Sequence, residues 1–112
     1  MSYRHFEAVP VSPAIGVELR GIDLCQELGD EAIGEIRQAL LDHLVIFFRD
    51  QSLTPARQIA FARRFAEISF YPFVTGLADY PEIVEVRKEP EEKTNFGGLW
   101  HTDTSYLEIP PL

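Results

Sequence analysis

The sequence has 112 residues and is acidic, with 18 acidic and 10 basic side chains and a formal net charge of −8. This length predicts one domain at most, and a share of 46% hydrophobic and 25% charged residues is typical of a soluble globular protein. The charge argues against binding to nucleic acids or to anionic membrane surfaces. The single cysteine, Cys25, excludes an internal disulfide and a multi-cysteine zinc site. The sequence shows neither a membrane-length apolar run nor a signal-peptide core, so we expect a cytoplasmic protein.

The first part of the chain predicts two short strands and a helix. Residues 3–9 and 15–19 alternate in polarity as strands do, and a turn with two prolines separates them. Asp30 is the predicted N-cap of a helix over residues 31–43. The apolar stripe of this helix has helical spacing and comprises Ile33, Ile36, Leu40 and Leu44.

A strand and a second helix follow. Residues 45–48 are β-branched and aromatic, which predicts a fully buried strand. Thr54 and Pro55 are typical of the N-cap and first position of a helix, which we predict to run over about residues 55–67. Its apolar stripe comprises Ile59, Ala62 and Phe65 with Phe61 at the flank, and its polar side carries Arg57, Arg63 and Arg64.

Beyond the second helix the pattern is less regular. Residues 69–76 are aromatic and irregular, whereas residues 82–87 predict a strand with one buried face. Residues 88–93 form a charged, proline-containing run, which favours a solvated loop. Because this loop directly precedes the segment that contains His101 and Asp103, a mobile lid is the alternative interpretation.

The residues with the clearest chemistry are His101 and Asp103, which follow a paired-glycine loop and the single tryptophan. If residues 101–106 are extended, alternate side chains share a face, so the imidazole and the carboxylate can bind one ion. Such a pair supplies two ligands of the 2-His-1-carboxylate triad of non-haem Fe(II) oxygenases. The alternative is an ordinary pair on a surface strand.

The same His-x-acid pattern occurs a second time, at His5 and Glu7. It stands near the N-terminus without a glycine-containing apolar loop before it. We interpret His5 and Glu7 as part of a solvated N-terminal strand.

Four segments carry a family resemblance: residues 15–24 (IGVELRGIDL), 41–51 (LDHLVIFFRDQ), 61–67 (FARRFAE), and 100–103 (WHTD) with paired prolines after it. In this order they resemble four parts of the taurine dioxygenase-like (TauD/TfdA) family of Fe(II)- and 2-oxoglutarate-dependent enzymes. These parts are its opening hairpin, its helix-to-strand junction, the helix before its active-site loop and its metal-binding segment. The resemblance covers essentially the whole chain.

The resemblance implies an α+β fold, a double-stranded β-helix (jelly roll) with flanking helices, of which residues 1–112 form the N-terminal portion of one domain. It implies an oxidoreductase that uses Fe(II), 2-oxoglutarate and O₂ to hydroxylate a small molecule, with release of succinate and CO₂. His101 and Asp103 would be the first two iron ligands. The family's distal His and the Arg that holds 2-oxoglutarate lie further downstream, and no residue here matches them. We therefore expect the 112-residue chain alone to be inactive.

The resemblance also bears on the substrate. Taurine-specific members carry a His, which helps bind the sulfonate, where this chain has Tyr71. We therefore expect a small organic acid or related anion as the substrate, with taurine not preferred. Phe73 and Asn95 are further candidates for substrate binding, as wall and lid residues.

Two other classes of function remain alternatives. A half jelly roll that lacks catalysis could bind another chain by strand addition. A zinc hydrolase using His101 and Asp103 would have fewer protein ligands than catalytic zinc sites usually have. Exposed apolar strands would favour association between copies of the chain, so a homo-oligomer is an alternative to a monomer.

Overall fold

The computed structural model describes residues 2–110, so Pro111, which contributes to the resemblance, lies outside the described residues. The chain divides into two units, the first ending at Phe65 and the second beginning at Ala66. No helix among residues 2–110 combines the length and the apolar character that crossing a membrane requires.

The first unit contains a three-stranded sheet with the order β1-β2-β3. Strand β1 (Glu7–Pro10) pairs antiparallel with β2 (Val17–Arg20), and β2 pairs parallel with β3 (Ile46–Phe47). The two predicted N-terminal strands therefore form, shifted toward the C-terminus. Pro10 ends β1, where the missing amide proton is tolerated because β1 is an edge strand.

Helix α1 (Asp30–His43) connects β2 to β3, as a parallel pair of strands requires. The predicted N-cap was wrong by one residue, because Gly29 occupies that position and Asp30 begins the first turn. The predicted stripe was wrong at its C-terminal end. Leu44 adopts a left-handed conformation as the C-cap and is 64% exposed. The buried face of the helix comprises Ala32, Ile33, Ile36 and Ala39.

The prediction of a fully buried strand over residues 45–48 was wrong in length and in burial. Only Ile46 and Phe47 form β3, and Phe47 is 42% exposed. Strand β3 lies at an edge of the sheet and pairs with β2 on one side only. The apolar side chains of β3 are therefore not fully buried in this unit.

Helix α2 (Pro55–Arg63) is shorter than predicted but begins where Thr54 and Pro55 indicated. The Thr54 hydroxyl accepts a hydrogen bond from the Arg57 amide at 3.3 Å, which satisfies one free amide of the first turn. Ile59 is buried, and Phe61 and Phe65 are half-buried against the core. Ala62 is exposed, so its predicted place in the stripe was wrong, and the three arginines predicted to be solvated are all exposed.

The core of the first unit forms where β1, β2 and α1 meet. Val17 and Ile36 are the largest side chains that are fully buried. The remaining members of this cluster are Phe6, Leu19, Ile33 and Ala39. Burial of these side chains is the main force that fixes α1 on the sheet.

The second unit has little regular structure within residues 66–110: one 3₁₀ helix, Thr104–Tyr106, and otherwise turns and irregular chain. The predicted strand over residues 82–87 was wrong. The Leu77 amide donates to the Ile83 carbonyl at 2.8 Å, and the Ile83 amide donates to the Tyr80 carbonyl at 3.0 Å. These local bonds form turns where a strand would need a neighbouring strand.

Candidate metal-binding cleft

The imidazole of His101 and the carboxylate of Asp103 face each other in the second unit. Nε2 of His101 lies 3.5 Å from Oδ1 of Asp103, and both side chains are at least half exposed. Two atoms that each bind one metal ion at about 2.0–2.2 Å can be at most about 4.3 Å apart. The separation of the two side chains therefore fits their binding to one ion.

The other ring nitrogen of His101 fixes the tautomer. Nδ1 lies 2.6 Å from the carbonyl oxygen of Leu99, and that oxygen can only accept a hydrogen bond. Nδ1 therefore carries the proton, which leaves a free lone pair on Nε2 toward Asp103 in the neutral ring. Metal-binding histidines commonly have this arrangement, in which a backbone carbonyl orients the ring.

Paired glycines shape the turn before His101. The Gly98 amide donates to the Asn95 carbonyl at 3.2 Å, and Gly97 has φ +68°, a left-handed conformation that other residues rarely adopt. A Cβ on Gly98 would lie 3.1 Å from the Cβ of Asn95, which is closer than ordinary van der Waals contact. Both positions therefore favour glycine, and together they set the approach of the chain to His101.

The prediction that residues 101–106 are extended was wrong in its second half. Asp103 is extended, with φ −66° and ψ 178°, but the 3₁₀ helix begins at Thr104. The Asp103 carbonyl accepts from the Ser105 amide at 2.7 Å, which turns the chain directly after the carboxylate. The His101–Asp103 pair itself forms because both residues precede this turn.

His101 and Asp103 line a cleft of about 780 Å³ within the second unit. Tyr71 and Asn95, both predicted as substrate-binding residues, line the same cleft. Phe73 does not line it; its ring packs edge-to-face on Tyr71, with centroids 5.4 Å apart. The structure thus brings together four of the five predicted site residues and packs the fifth against Tyr71.

Several lining residues were not anticipated from the sequence. They are Val84, Val86, Thr94, Thr102 and Thr104, with Tyr106 at the 3₁₀ helix. The valines supply apolar surface and the threonines supply hydroxyls. Apolar walls with a few polar groups are typical of small-molecule sites. Tyr106 is the one residue of this set that the sequence partly indicated, because it lies just beyond the His101–Asp103 pair.

Within residues 2–110, one group of three potential metal ligands lies close together, and it is in the first unit: His5, Glu31 and Glu35. The interpretation of His5 as part of a strand was wrong, because β1 begins only at Glu7 and His5 precedes it. Nδ1 of His5 lies 2.9 Å from Glu35, whose carboxylate also accepts from the backbone amides of Arg4 and His5. The Arg4 guanidinium is 3.3 Å from Glu31.

These contacts explain the charge state of Glu35. Desolvation acts to raise the pKa of its carboxyl, but hydrogen bonds from the Arg4 amide, the His5 ring and the His5 amide outweigh it and lower the pKa. A carboxylate that already accepts three hydrogen bonds, beside an arginine, is poorly suited to binding a cation. We interpret this cluster as a tether between the N-terminal segment and α1.

Comparison with known proteins identifies a family for the chain. Residues 7–112 match the family described as "Taurine catabolism dioxygenase TauD, TfdA family". An alpha-ketoglutarate-dependent sulfate ester dioxygenase of Pseudomonas putida is 32% identical over 103 residues, which is 91% of this chain and 33% of that protein.

Two solved structures extend the comparison. A taurine dioxygenase from Burkholderia xenovorans matches 70% of this chain and 28% of its own, with 35% identity and a TM-score of 0.64. A structure of AAD-2 in complex with Mn(II) and N-oxalylglycine matches 57% of this chain and 25% of its own, with 25% identity and a TM-score of 0.56. The chain spans about a third of the length of such relatives. On the family match over nearly its whole length, this chain belongs to the TauD/TfdA family of dioxygenases.

Proposed function

We propose that residues 1–112 form the N-terminal portion of one jelly-roll domain of an Fe(II)- and 2-oxoglutarate-dependent dioxygenase. The proposed enzyme uses O₂ to hydroxylate a small organic acid or related anion, and releases succinate and CO₂. The proposed location is the cytoplasm, on the grounds of the sequence. The family match supports the reaction class, and the Mn(II) and N-oxalylglycine in the AAD-2 structure support a site for a metal and a 2-oxo acid.

The observation that carries the proposal is the His101–Asp103 pair. Nε2 of His101 and the carboxylate oxygen of Asp103 lie 3.5 Å apart in a cleft, and the hydrogen bond of Nδ1 to the Leu99 carbonyl leaves Nε2 as the nitrogen that can bind a metal. In the proposed enzyme, these two side chains would hold Fe(II). The bound ion and its 2-oxo acid would supply the oxidation, while the protein positions the substrate carbon.

The chain's own residues would have three roles in this reaction. Val84 and Val86 offer apolar surface to one side of the substrate. Tyr71 offers a neutral hydroxyl at the cleft, and Phe73 supports its ring from behind. Asn95 offers an amide at the rim.

The relatives favour an anionic substrate, and Tyr71 argues against taurine. The Pseudomonas putida relative is described as acting on sulfate esters, which are anions. Tyr71 stands where taurine-specific members have a histidine, and a neutral hydroxyl binds a sulfonate less strongly than a charged donor does. We therefore propose an anion other than taurine as the preferred substrate.

The alternative of a module that binds another chain by strand addition has weaker support. The two edges of the sheet are β1, which ends in Pro10, and β3, which has two residues. Neither edge offers a long run of free backbone groups for an added strand. The described contacts thus favour the enzyme over the module.

The proposal is tested on the complete polypeptide that contains residues 1–112, whatever its length. It is incubated with Fe(II), ascorbate, 2-oxoglutarate and a panel of carboxylates and sulfate esters, and succinate is measured. The expected result is succinate release that depends on both iron and an organic anion. Succinate no higher than in a metal-free control, with every member of the panel, would contradict the proposal.

A further inference from the structure

A lysine next to the cleft holds one of the residues that line it. Nζ of Lys88 donates a hydrogen bond to Oδ1 of Asn95. The lysine ammonium has donors and no acceptor, so the oxygen of the Asn95 amide must face it and the NH₂ group faces elsewhere. Because Asn95 lines the cleft with His101 and Asp103, this contact leaves its NH₂ as a donor for a ligand.

The charge of the cleft makes this contact significant. Among the described lining residues there is no lysine or arginine, and Asp103 contributes a negative charge. Arg87, the neighbour of Lys88, has its guanidinium 2.8 Å from the Glu89 carboxylate, which offsets its charge. Lys88 instead contacts a neutral amide. This contact places a positive charge directly against one lining residue of the cleft, although Lys88 is not itself a lining residue.

Backbone geometry fixes the position of Asn95, the residue that Lys88 contacts. The Asn95 carbonyl accepts the hydrogen bond that closes the turn through Gly97 and Gly98, so the backbone at Asn95 is held by the same turn that leads to His101. Lys88 belongs to the charged loop of residues 88–93, and its contact with Asn95 links that loop to the turn. The loop therefore places a cation against one lining residue of the cleft, Asn95.

We propose that Lys88 is a specificity-determining residue that selects substrates carrying an anionic group, such as a carboxylate or a sulfate ester. It acts in two ways: its charge attracts the anion, and its hydrogen bond turns the Asn95 NH₂ group into a donor to the same anion. This inference rests on the proposed function for the reaction, but it concerns recognition alone. It names Lys88 and Asn95 together as the subsite for the anionic end of the substrate.

The test measures binding to the complete polypeptide, by calorimetry at low salt, of three probes of equal chain length: hexanoate, hexyl sulfate and 1-hexanol. Lys88→Met should weaken both anions about two- to fivefold, as expected for the loss of one exposed charge, and leave 1-hexanol unchanged. Lys88→Arg should restore the preference for anions. Lys93→Met removes a charge from an exposed position in the same loop and should change none of the three affinities.

A second variant tests the orientation of the amide. Asn95→Asp replaces the donor by a carboxylate, so it should abolish the preference for hexanoate and hexyl sulfate over 1-hexanol. Anion affinity that is unchanged in both Lys88→Met and Asn95→Asp would overturn the inference, as would equal weakening of 1-hexanol by Lys88→Met.

The binding test is independent of turnover. If the wild type binds the anions preferentially through Lys88 but releases no succinate with any substrate, the reaction is wrong and the subsite stands. If the wild type releases succinate but binds all three probes equally, the reaction stands and the subsite is overturned.

Discussion

Nε2 of His101 faces Oδ1 of Asp103 at 3.5 Å, in a tautomer set by the Leu99 carbonyl. The structure thus gives this pair a separation that suits one metal ion, with Nδ1 held by the Leu99 carbonyl and Nε2 facing Asp103. The other His-x-acid sequence, at His5 and Glu7, forms no such pair, because His5 contacts Glu35 and not Glu7. Local geometry therefore distinguishes two motifs that are alike in sequence.

The first prediction concerns residues 1–112 expressed alone. We expect no sustained turnover of 2-oxoglutarate, because among residues 2–110 no third His, Cys, Asp or Glu lies close enough to complete a metal site with His101 and Asp103. A site with two ligands holds Fe(II) loosely. Succinate is assayed while the size of the protein is measured by light scattering. Release by a monomer would contradict the prediction, and release only by an oligomer would indicate a site completed between chains.

The second prediction concerns Tyr71. In the complete polypeptide, Tyr71→His should raise the kcat/KM for taurine relative to carboxylates, because an imidazolium can form a charge-assisted hydrogen bond to the sulfonate. Such bonds are about twice as strong as neutral ones. Tyr71→Phe is the matched control, since it removes the hydroxyl without adding a charge. A wild-type protein that already prefers taurine over the carboxylates would show that Tyr71 does not set this preference.

The third prediction concerns the turn before the metal ligands. Gly97→Val should weaken Fe(II) binding by the complete polypeptide severalfold, because a left-handed conformation costs a residue with a side chain about 1–2 kcal/mol. Iron affinity is measured by anaerobic titration. Gly34→Ala is the matched control: this glycine lies in α1 with open space around it, so alanine should stabilise the fold by about 0.5–1 kcal/mol. Wild-type iron affinity in Gly97→Val would contradict the role of the turn.

The fourth prediction concerns acid stability. The pKa of Glu35 is lowered in the folded chain, so its contribution to stability is present above the unfolded-state value of about 4.3 and is lost as the pH falls through the lower folded-state value. Glu35→Gln should therefore reduce the free energy of unfolding at pH 7 and make it less dependent on pH below about 5. Urea unfolding at several pH values measures this.

A matched control is available one turn away on α1. Glu31→Gln alters an ion pair with Arg4 in which both side chains are more than half exposed, and such pairs contribute about 0–1 kcal/mol. An equal loss of stability in the two variants, or a loss in Glu35→Gln that grows toward low pH, would count against the proposed tether.

The sequence was sufficient where the determinants of structure are local. Thr54 and Pro55 marked the start of α2 because a cap and a first-turn proline act within one turn. The stripe through Ile33 and Ile36 located α1 because helical periodicity needs no partner. The pairing of His101 with Asp103 could be predicted because both residues precede the 3₁₀ turn.

The sequence was insufficient where structure depends on distant neighbours. Residues 82–87 have the composition of a strand, but the second unit gives them turns instead of a paired strand. Phe47 is exposed because β3 lies at a sheet edge, which the composition of the strand cannot show. Likewise, the contact of Lys88 with Asn95 depends on how the charged loop returns to the turn, so the run of residues 88–93 gave no sign of it.

We propose that His101 and Asp103 bind the catalytic iron. The most direct test is an anaerobic Fe(II) titration of the complete polypeptide with 2-oxoglutarate present, in which the charge-transfer absorption of the iron–2-oxoglutarate complex is recorded. The wild type and His43→Ala, a control at the end of α1, should both develop the absorption, whereas His101→Ala should bind iron at least about tenfold more weakly and lose it. The same absorption and affinity in His101→Ala as in the wild type would show that His101 is not an iron ligand.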